Sequence, residues 1–276
     1  MLTPGRTESG WLNRAIAALP AGDRVEAPNG LAVGSIAPLV IRGPAPILGW
    51  AATGLQAPTA DLVNRTLGNY EHVDPSLATA LREGFFAEAL ATKDGMGTAK
   101  GGGGEVAAMR QAAEGAARLM AADNGPRVGA LAFDGWDTHA NEGGATGRLA
   151  QLLGGLDQAF AAFEGELGDR WKDTVVVAVT EFGRTARING TVGTDHGTAT
   201  VAFLAGGAVA GGRVVADWPG LKDSNLFEGR DLKPTNDLRA VLKGVLADHL
   251  GLSAQTLAQQ VFPDTLGVAP MKGLLA

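Results

Sequence analysis

The sequence predicts an α/β fold on mostly parallel strands, and three observations predict it. Arg127 to Asp134 and Thr174 to Thr180 are apolar runs of strand length. Between them Leu149, Leu152, Leu153, Leu156, Phe160, Phe163 and Leu167 recur at helical spacing. The second run, Val175-Val176-Val177-Ala178-Val179, is uniformly apolar and β-branched, as suits a strand of a parallel sheet covered on both faces. Strand, long helix and strand form a crossover unit, which is nearly always right-handed with its strands parallel. Both strands then end on one edge of the sheet.

The elements follow in chain order. Residues 1 to 100 carry short apolar runs, Leu31-Ala32-Val33 and Leu39-Val40-Ile41, broken by Pro38, Pro44 and Pro46. They predict short strands and turns. From Asp74 to Ala91, Leu77, Leu81, Phe85 and Leu90 suit a helix with Pro75 in its first turn. Lys93 to Gly104, ending in four glycines, predicts a flexible loop; no Gly-Lys-Ser/Thr follows and no strand precedes it, which argues against a phosphate cradle. After the crossover unit, Ala199 to Ala205 is a third strand whose direction the sequence leaves open. Asn236 to Leu250 is an amphipathic helix capped by Asn236 and ended by Gly251, with His249 placed to favour the helix dipole.

Composition narrows the function. The 276 residues suit one domain spanning 1–276, and 45% hydrophobic with 19% charged residues is ordinary for a globular chain. A net charge of −6, with no long basic run, argues against nucleic acid as partner. No stretch reaches the ~18 apolar residues of a membrane span, and the start, Met1-Leu2-Thr3-Pro4-Gly5-Arg6, lacks the apolar core of a signal peptide. Cysteine is absent, so any metal must sit on nitrogen and oxygen ligands.

Two of the four histidines stand among carboxylates, in Phe133-Asp134-Gly135-Trp136-Asp137-Thr138-His139 and in Gly193-Thr194-Asp195-His196-Gly197. The first cluster follows a predicted strand, and Glu181 follows the next one directly. Open α/β sheets place ligands at such strand ends. Imidazole plus carboxylate suits Zn, Mn or Fe. Asp137, His139 and His196 are the candidate metal ligands, with Asp195 as a further ligand or as the carboxylate that orients an imidazole. Glu181 is the candidate base or additional ligand, and Arg184 the candidate holder of an anionic substrate. Taken singly, each Asp-x-His or Asp-His pair is more often a turn-capping arrangement. Convergence on one edge is what favours chemistry. Trp136, His72 and His249 read as structural.

These residues resemble the bacterial family known as domain of unknown function 1501, itself similar to the alkaline phosphatase and sulfatase superfamily. The resemblance rests on Gly10-Trp11-Leu12-Asn13-Arg14, Gly135-Trp136-Asp137-Thr138-His139, Glu181-Phe182-Gly183-Arg184-Thr185, Gly193-Thr194-Asp195-His196-Gly197, Gly206-Gly207-Ala208-Val209 with Gly211-Gly212, and Asp231-Leu232-Lys233-Pro234-Thr235-Asn236-Asp237. It implies a three-layer α/β/α sandwich, a divalent metal such as Zn or Mn, phosphate or sulfate esters as substrates, and export to the periplasm. Two departures stand out: Phe182 occupies the place of a ligating His, and the family's N-terminal segment, with its Asp-rich loop and nucleophile, is not recognisable. The expectation is therefore a truncated hydrolase-like protein; the alternatives are a noncatalytic exported binding or assembly protein and a fragment with an exposed sheet edge.

Overall fold

The computed structural model describes residues 8–20, 29–52, 59–91 and 104–276. The chain is mixed α/β, but its strands divide into three small sheets. The central one is parallel, ordered β2-β1-β3 from β1 (Gly30–Val33), β2 (Ile47–Trp50) and β3 (Val128–Leu131). β1 is buried along its whole length, and its side chains alternate between two apolar clusters, as strand geometry requires. Leu31 and Val33 join Trp50, Met109, Ala113, Ala116, Leu152 and Phe163. Ala32 joins Leu12, Ile16, Ile41 and Ala130 on the opposite side.

The first of these clusters is closed by α4 (Gly104–Ala121) and α5 (Arg148–Leu167), which pack along each other. Small residues make the close approach possible. Gly115 lies against the Trp50 ring, whose Nε1 donates to Glu88 at 3.0 Å, and Gly155 lies against Met109 and Val106. The opposite cluster is closed by α1 (Trp11–Ala17). Its Asn13 is fully buried yet satisfied: Nδ2 donates to the carbonyls of Ile41 and Ala45, and Oδ1 accepts from the Ala45 amide, each at 3.0 Å. Arg14 reaches the Val261 carbonyl at 2.8 Å. The Gly10-Trp11-Leu12-Asn13-Arg14 motif is thus a structural clasp.

Several expectations change. The two-strand crossover is not formed within one sheet: β3 pairs with β1, whereas β4 (Val176–Ala178) pairs antiparallel with β7 (Phe203–Ala205). The chain returns on itself between β4 and β7, and this local pairing takes one edge of β4. β4 is half-buried, and Val179, Val201 and Phe203 beside it are exposed, so it is not covered on both faces as its composition suggested. Residues 60 to 91 form two helices, α2 (Ala60–Val73) and α3 (Pro75–Ala91), where only the second was expected. α2 is largely exposed. Leu39–Ile41 is a 3₁₀ turn, in keeping with the expected short strands and turns. The Ala-rich α4 was not anticipated, because alanine marks helix propensity without marking a face. The expected loop from Lys93 lies outside the described residues as far as residue 103.

At the C-terminal end, α6 (Leu238–Leu250) is capped by Asp237, which accepts from the Arg239 amide at 2.8 Å, and not by Asn236. Gly251 ends it in the left-handed conformation, as expected. Lys243 on α6 is 1% exposed, and its ammonium donates to the Thr265 and Val268 carbonyls at 2.7 and 2.8 Å, binding the last segment to the helix. α7 (Ala254–Thr256) and a π turn at Leu257–Val261 complete the second face. Among the described residues, no helix is long and apolar enough to cross a membrane.

Two predictions follow from this packing. Gly→Ala in a helix normally stabilises by about 0.5–1 kcal/mol, but at Gly115 the added methyl would fall inside the Trp50 indole. Gly115→Ala should therefore destabilise by about 1–3 kcal/mol, measurable by denaturant unfolding. Burial pushes the half-buried His249 below its ordinary pKa; Asp173 opposes this, and Arg127 adds to it. The unfolded chain thus binds the proton more readily. The contribution of His249 is fully present above about pH 6.5 and is lost as pH falls below that value. A His249→Gln protein should show a flatter loss of melting temperature between pH 6.5 and its folded pKa.

Candidate metal centre

Two loops build the site. The first follows β3, where Gly135 adopts a positive φ and short turns join the Thr138 amide to the Trp136 carbonyl (3.0 Å) and the His139 amide to the Asp137 carbonyl (3.1 Å). The second connects β5 (Gly183–Arg184) to β6 (His196–Gly197), an antiparallel pair in which Arg184 faces His196. Backbone hydrogen bonds stitch the loops together: Asn141 to Thr191 and Glu142 to Val192, each at 3.0 Å, and Thr194 to Thr138 at 3.3 Å. Gly193 is needed at this seam, since a Cβ there would collide with the Thr138 and His139 backbone. Because β7 runs antiparallel to β4, its amino end lies beside the carboxyl end of β4. That resolves the direction the sequence left open and carries His196 to the rim.

Asp137, His139 and His196 meet there as a group able to hold a metal ion. Asp137 Oδ1 lies 3.0 Å from His139 Nε2 and 2.8 Å from His196 Nε2, and the two Nε2 atoms are 3.1 Å apart. One carboxylate oxygen and two imidazole nitrogens lie within hydrogen-bond distance of one another, a donor set suited to a first-row divalent ion. The side chains keep 63%, 44% and 53% of their surface, so the face toward solvent is open to further ligands.

Around this triad is a supporting ring. Asp195 Oδ1 sits 3.2 Å from His139 Nδ1, which leaves Nε2 of that ring for the ion. Asn189 holds Asp195 in turn: its Nδ2 donates to Asp195 Oδ1 and to the His139 carbonyl, and its Oδ1 accepts from the Thr191 and Gly193 amides, all at 3.0 Å. Arg184 donates from Nη1 to Asp137 Oδ1 at 2.7 Å and from Nε to Thr194 Oγ1 at 3.0 Å, and it also bonds the Thr194 carbonyl. Buried Glu142 accepts from the Thr194 hydroxyl at 2.7 Å. The Arg184 hydrogen bond, then that of His196, holds the Asp137 carboxyl below its usual pKa; Asn189, then His139, does the same for Asp195. Both stay ionised at neutral pH.

The sequence-based candidates therefore separate. Asp137, His139 and His196 come together, while Asp195 stands behind His139 and is not one of the clustered ligands. Glu181 is exposed and makes no hydrogen bond or ion pair among the described residues. Arg184 faces the triad, but with its guanidinium engaged by Asp137 and Thr194. Phe182 packs against His196 with ring centroids 4.4 Å apart. Asn189 was not among the candidates. Its one signal was the Asn189-Gly190 turn dipeptide, which marks a turn and gives no hint of what the side chain holds. Beside Asp195, a cleft of about 200 Å³ is lined by Thr185, Arg187, Ile188, Asn189 and Arg230.

Comparison with known proteins covers nearly the whole chain: residues 3–262 match the family described as Protein of unknown function (DUF1501). No curated protein and no solved structure matches it.

For an ion held by the triad, the ring would make Asp195 and Asn189 indirect determinants of its binding. Asp195→Ala should weaken divalent-metal affinity roughly 10 to 100-fold without changing stoichiometry, and Asn189→Ala should act in the same direction. Competition titration against a chelating dye measures both.

Proposed function

We propose that the chain, which belongs to the DUF1501 family, is a metal-dependent hydrolase-like protein of the phosphatase and sulfatase type, binding one divalent ion through Asp137, His139 and His196. The observation that carries this reading is the meeting of those three side chains on an open rim, from positions up to 59 residues apart in sequence. The bound ion would supply electrophilic polarisation of an ester oxygen and a lowered pKa for water, about 7 in the best zinc hydrolases.

The chain's own groups have separable tasks. Asp137 contributes the negative charge. His139 and His196 contribute neutral donors, and Asp195 fixes the orientation of His139. Arg184 anchors Asp137 and is the cation closest to the triad for an anionic substrate. Glu181 stands at the rim as the candidate base, with its carboxylate free to turn toward a bound ester. The cleft with Arg187 and Arg230 lies on the Asp195 side, where the remainder of a small or polymeric anionic ester would extend. In this reading the fold is a form of the three-layer alkaline-phosphatase-like sandwich, and export to the periplasm or cell surface goes with it.

A second reading is a noncatalytic exported binding or assembly protein with a degenerate metal site. It is favoured by Phe182 packed on the His196 ring, and by the Thr194 hydroxyl being committed to Arg184 and Glu142.

Elemental analysis after dialysis separates the outcomes. About one metal per chain, lost in the Asp137→Ala, His139→Ala protein, is the expected result, followed by metal-stimulated turnover of phosphate or sulfate esters. Metal without turnover would favour the binding reading. No metal in either protein would end the hydrolase proposal.

A further inference from the structure

We infer that Glu142 and Thr194 are positioning residues, which hold Arg184 beside Asp137 as a fixed cation for an anionic ligand arriving at the triad. The inference rests on the reading of Arg184 as the holder of an anionic substrate, and it names the groups that keep that side chain in place.

The direction of the hydrogen bonds carries the argument. The Thr194 hydroxyl gives its one proton to Glu142 Oε2 at 2.7 Å. Its lone pairs are then left for a donor, which Arg184 Nε supplies at 3.0 Å. Arg184 Nη2 bonds the Thr194 carbonyl, so one residue grips the guanidinium with both its hydroxyl and its backbone. Nη1 reaches Asp137 Oδ1 at 2.7 Å. A chain of fixed polarity thus joins the open triad to a buried carboxylate. A guanidinium has five N–H donors; these contacts take three, and two remain for an anion.

Glu142 is itself firmly set. It is buried, its amide donates to the Val192 carbonyl, and its carbonyl accepts from the Leu149 amide in the first turn of α5, each at 3.0 Å. Gly143 and Gly147, both at positive φ, close the turn that follows so tightly that a Cβ on either would meet backbone. A buried carboxylate is costly unless compensated, and the cation at the far side of Thr194 is Arg184. One guanidinium therefore stands between two carboxylates. If an ion or ligand takes up the charge of Asp137, Thr194 and Glu142 still hold Arg184 at the rim.

The Arg184 Nε–H resonance of the full-length, metal-free protein is the first readout, assigned by its loss in Arg184→Lys. It should exchange slowly with water in wild type and Thr194→Ser, and rapidly in Thr194→Val and Glu142→Ala proteins of unchanged circular dichroism. Inorganic phosphate is the second. Its dissociation constant with the protein as purified should rise about tenfold in Thr194→Val and Glu142→Ala, as for the loss of one hydrogen bond to a charged group, and be restored in Thr194→Ser. Exchange that stays slow in both variants would overturn the relay. Faster exchange with no effect on phosphate binding would overturn its role in holding an anion. A wild-type protein that shows both effects yet takes up no metal would support this inference and end the metal-dependent reading.

Discussion

The seam between the loop after β3 and the loop joining β5 to β6 is the constraint on which the site depends. Neither loop can satisfy its backbone groups alone, and a half-buried loop with unpaired amides is costly. Their mutual hydrogen bonds, together with the four bonds of Asn189 quoted above, remove that cost. The same contacts bring Asp137 and His139 to within hydrogen-bond distance of His196. Gly193 permits the approach because it has no side chain to hold the backbones apart.

Electrostatics then acts on what the seam has assembled. Asp137 Oδ1 is approached by a guanidinium and two imidazoles, an environment that keeps it ionised in the absence of any ion. Arg184 thereby compensates a carboxylate that a divalent cation would otherwise compensate. Its further bonds to Thr194 tie that carboxylate back to the seam. Charge and backbone pairing are mutually supporting here: loosening the seam would move Arg184, and moving Arg184 would leave Asp137 without its closest partner.

The scaffold beneath is simpler. A small parallel sheet is sealed on one side by the close packing of α4 and α5 and on the other by α1, whose buried Asn13 ties the chain at Ile41 and Ala45. Its function for the site is positional. β3 carries one loop to the rim, while the antiparallel β4–β7 pair carries the other.

The sequence by itself determined the elements with strong periodicity and the identity of the chemical groups. The strand at Val128–Leu131, the helix at Arg148–Leu167 and the helix ended by Gly251 are written locally, because apolar spacing and a left-handed glycine act within a few residues. So are the Asp-x-His and Asp-His pairs, together with the absence of sulfur ligands. The family was legible too, since several short motifs recur across the chain in order. Tertiary structure alone decided the rest. The exposed α2 buries little, and the buried side of α4 is largely alanine and glycine, so neither announced what it packs against. The pairing of β4 with β7, and not with β3, was decided by the return of the chain that lays β7 alongside it. The division of labour among Asp137, Asp195 and Glu181 depended on distances between residues more than fifty positions apart. Three carboxylates of similar local character became a member of the Asp-His-His cluster, a support for His139 and an exposed group, because backbone pairing brought the first to both histidines, gave the second to Asn189 and left the third in solvent.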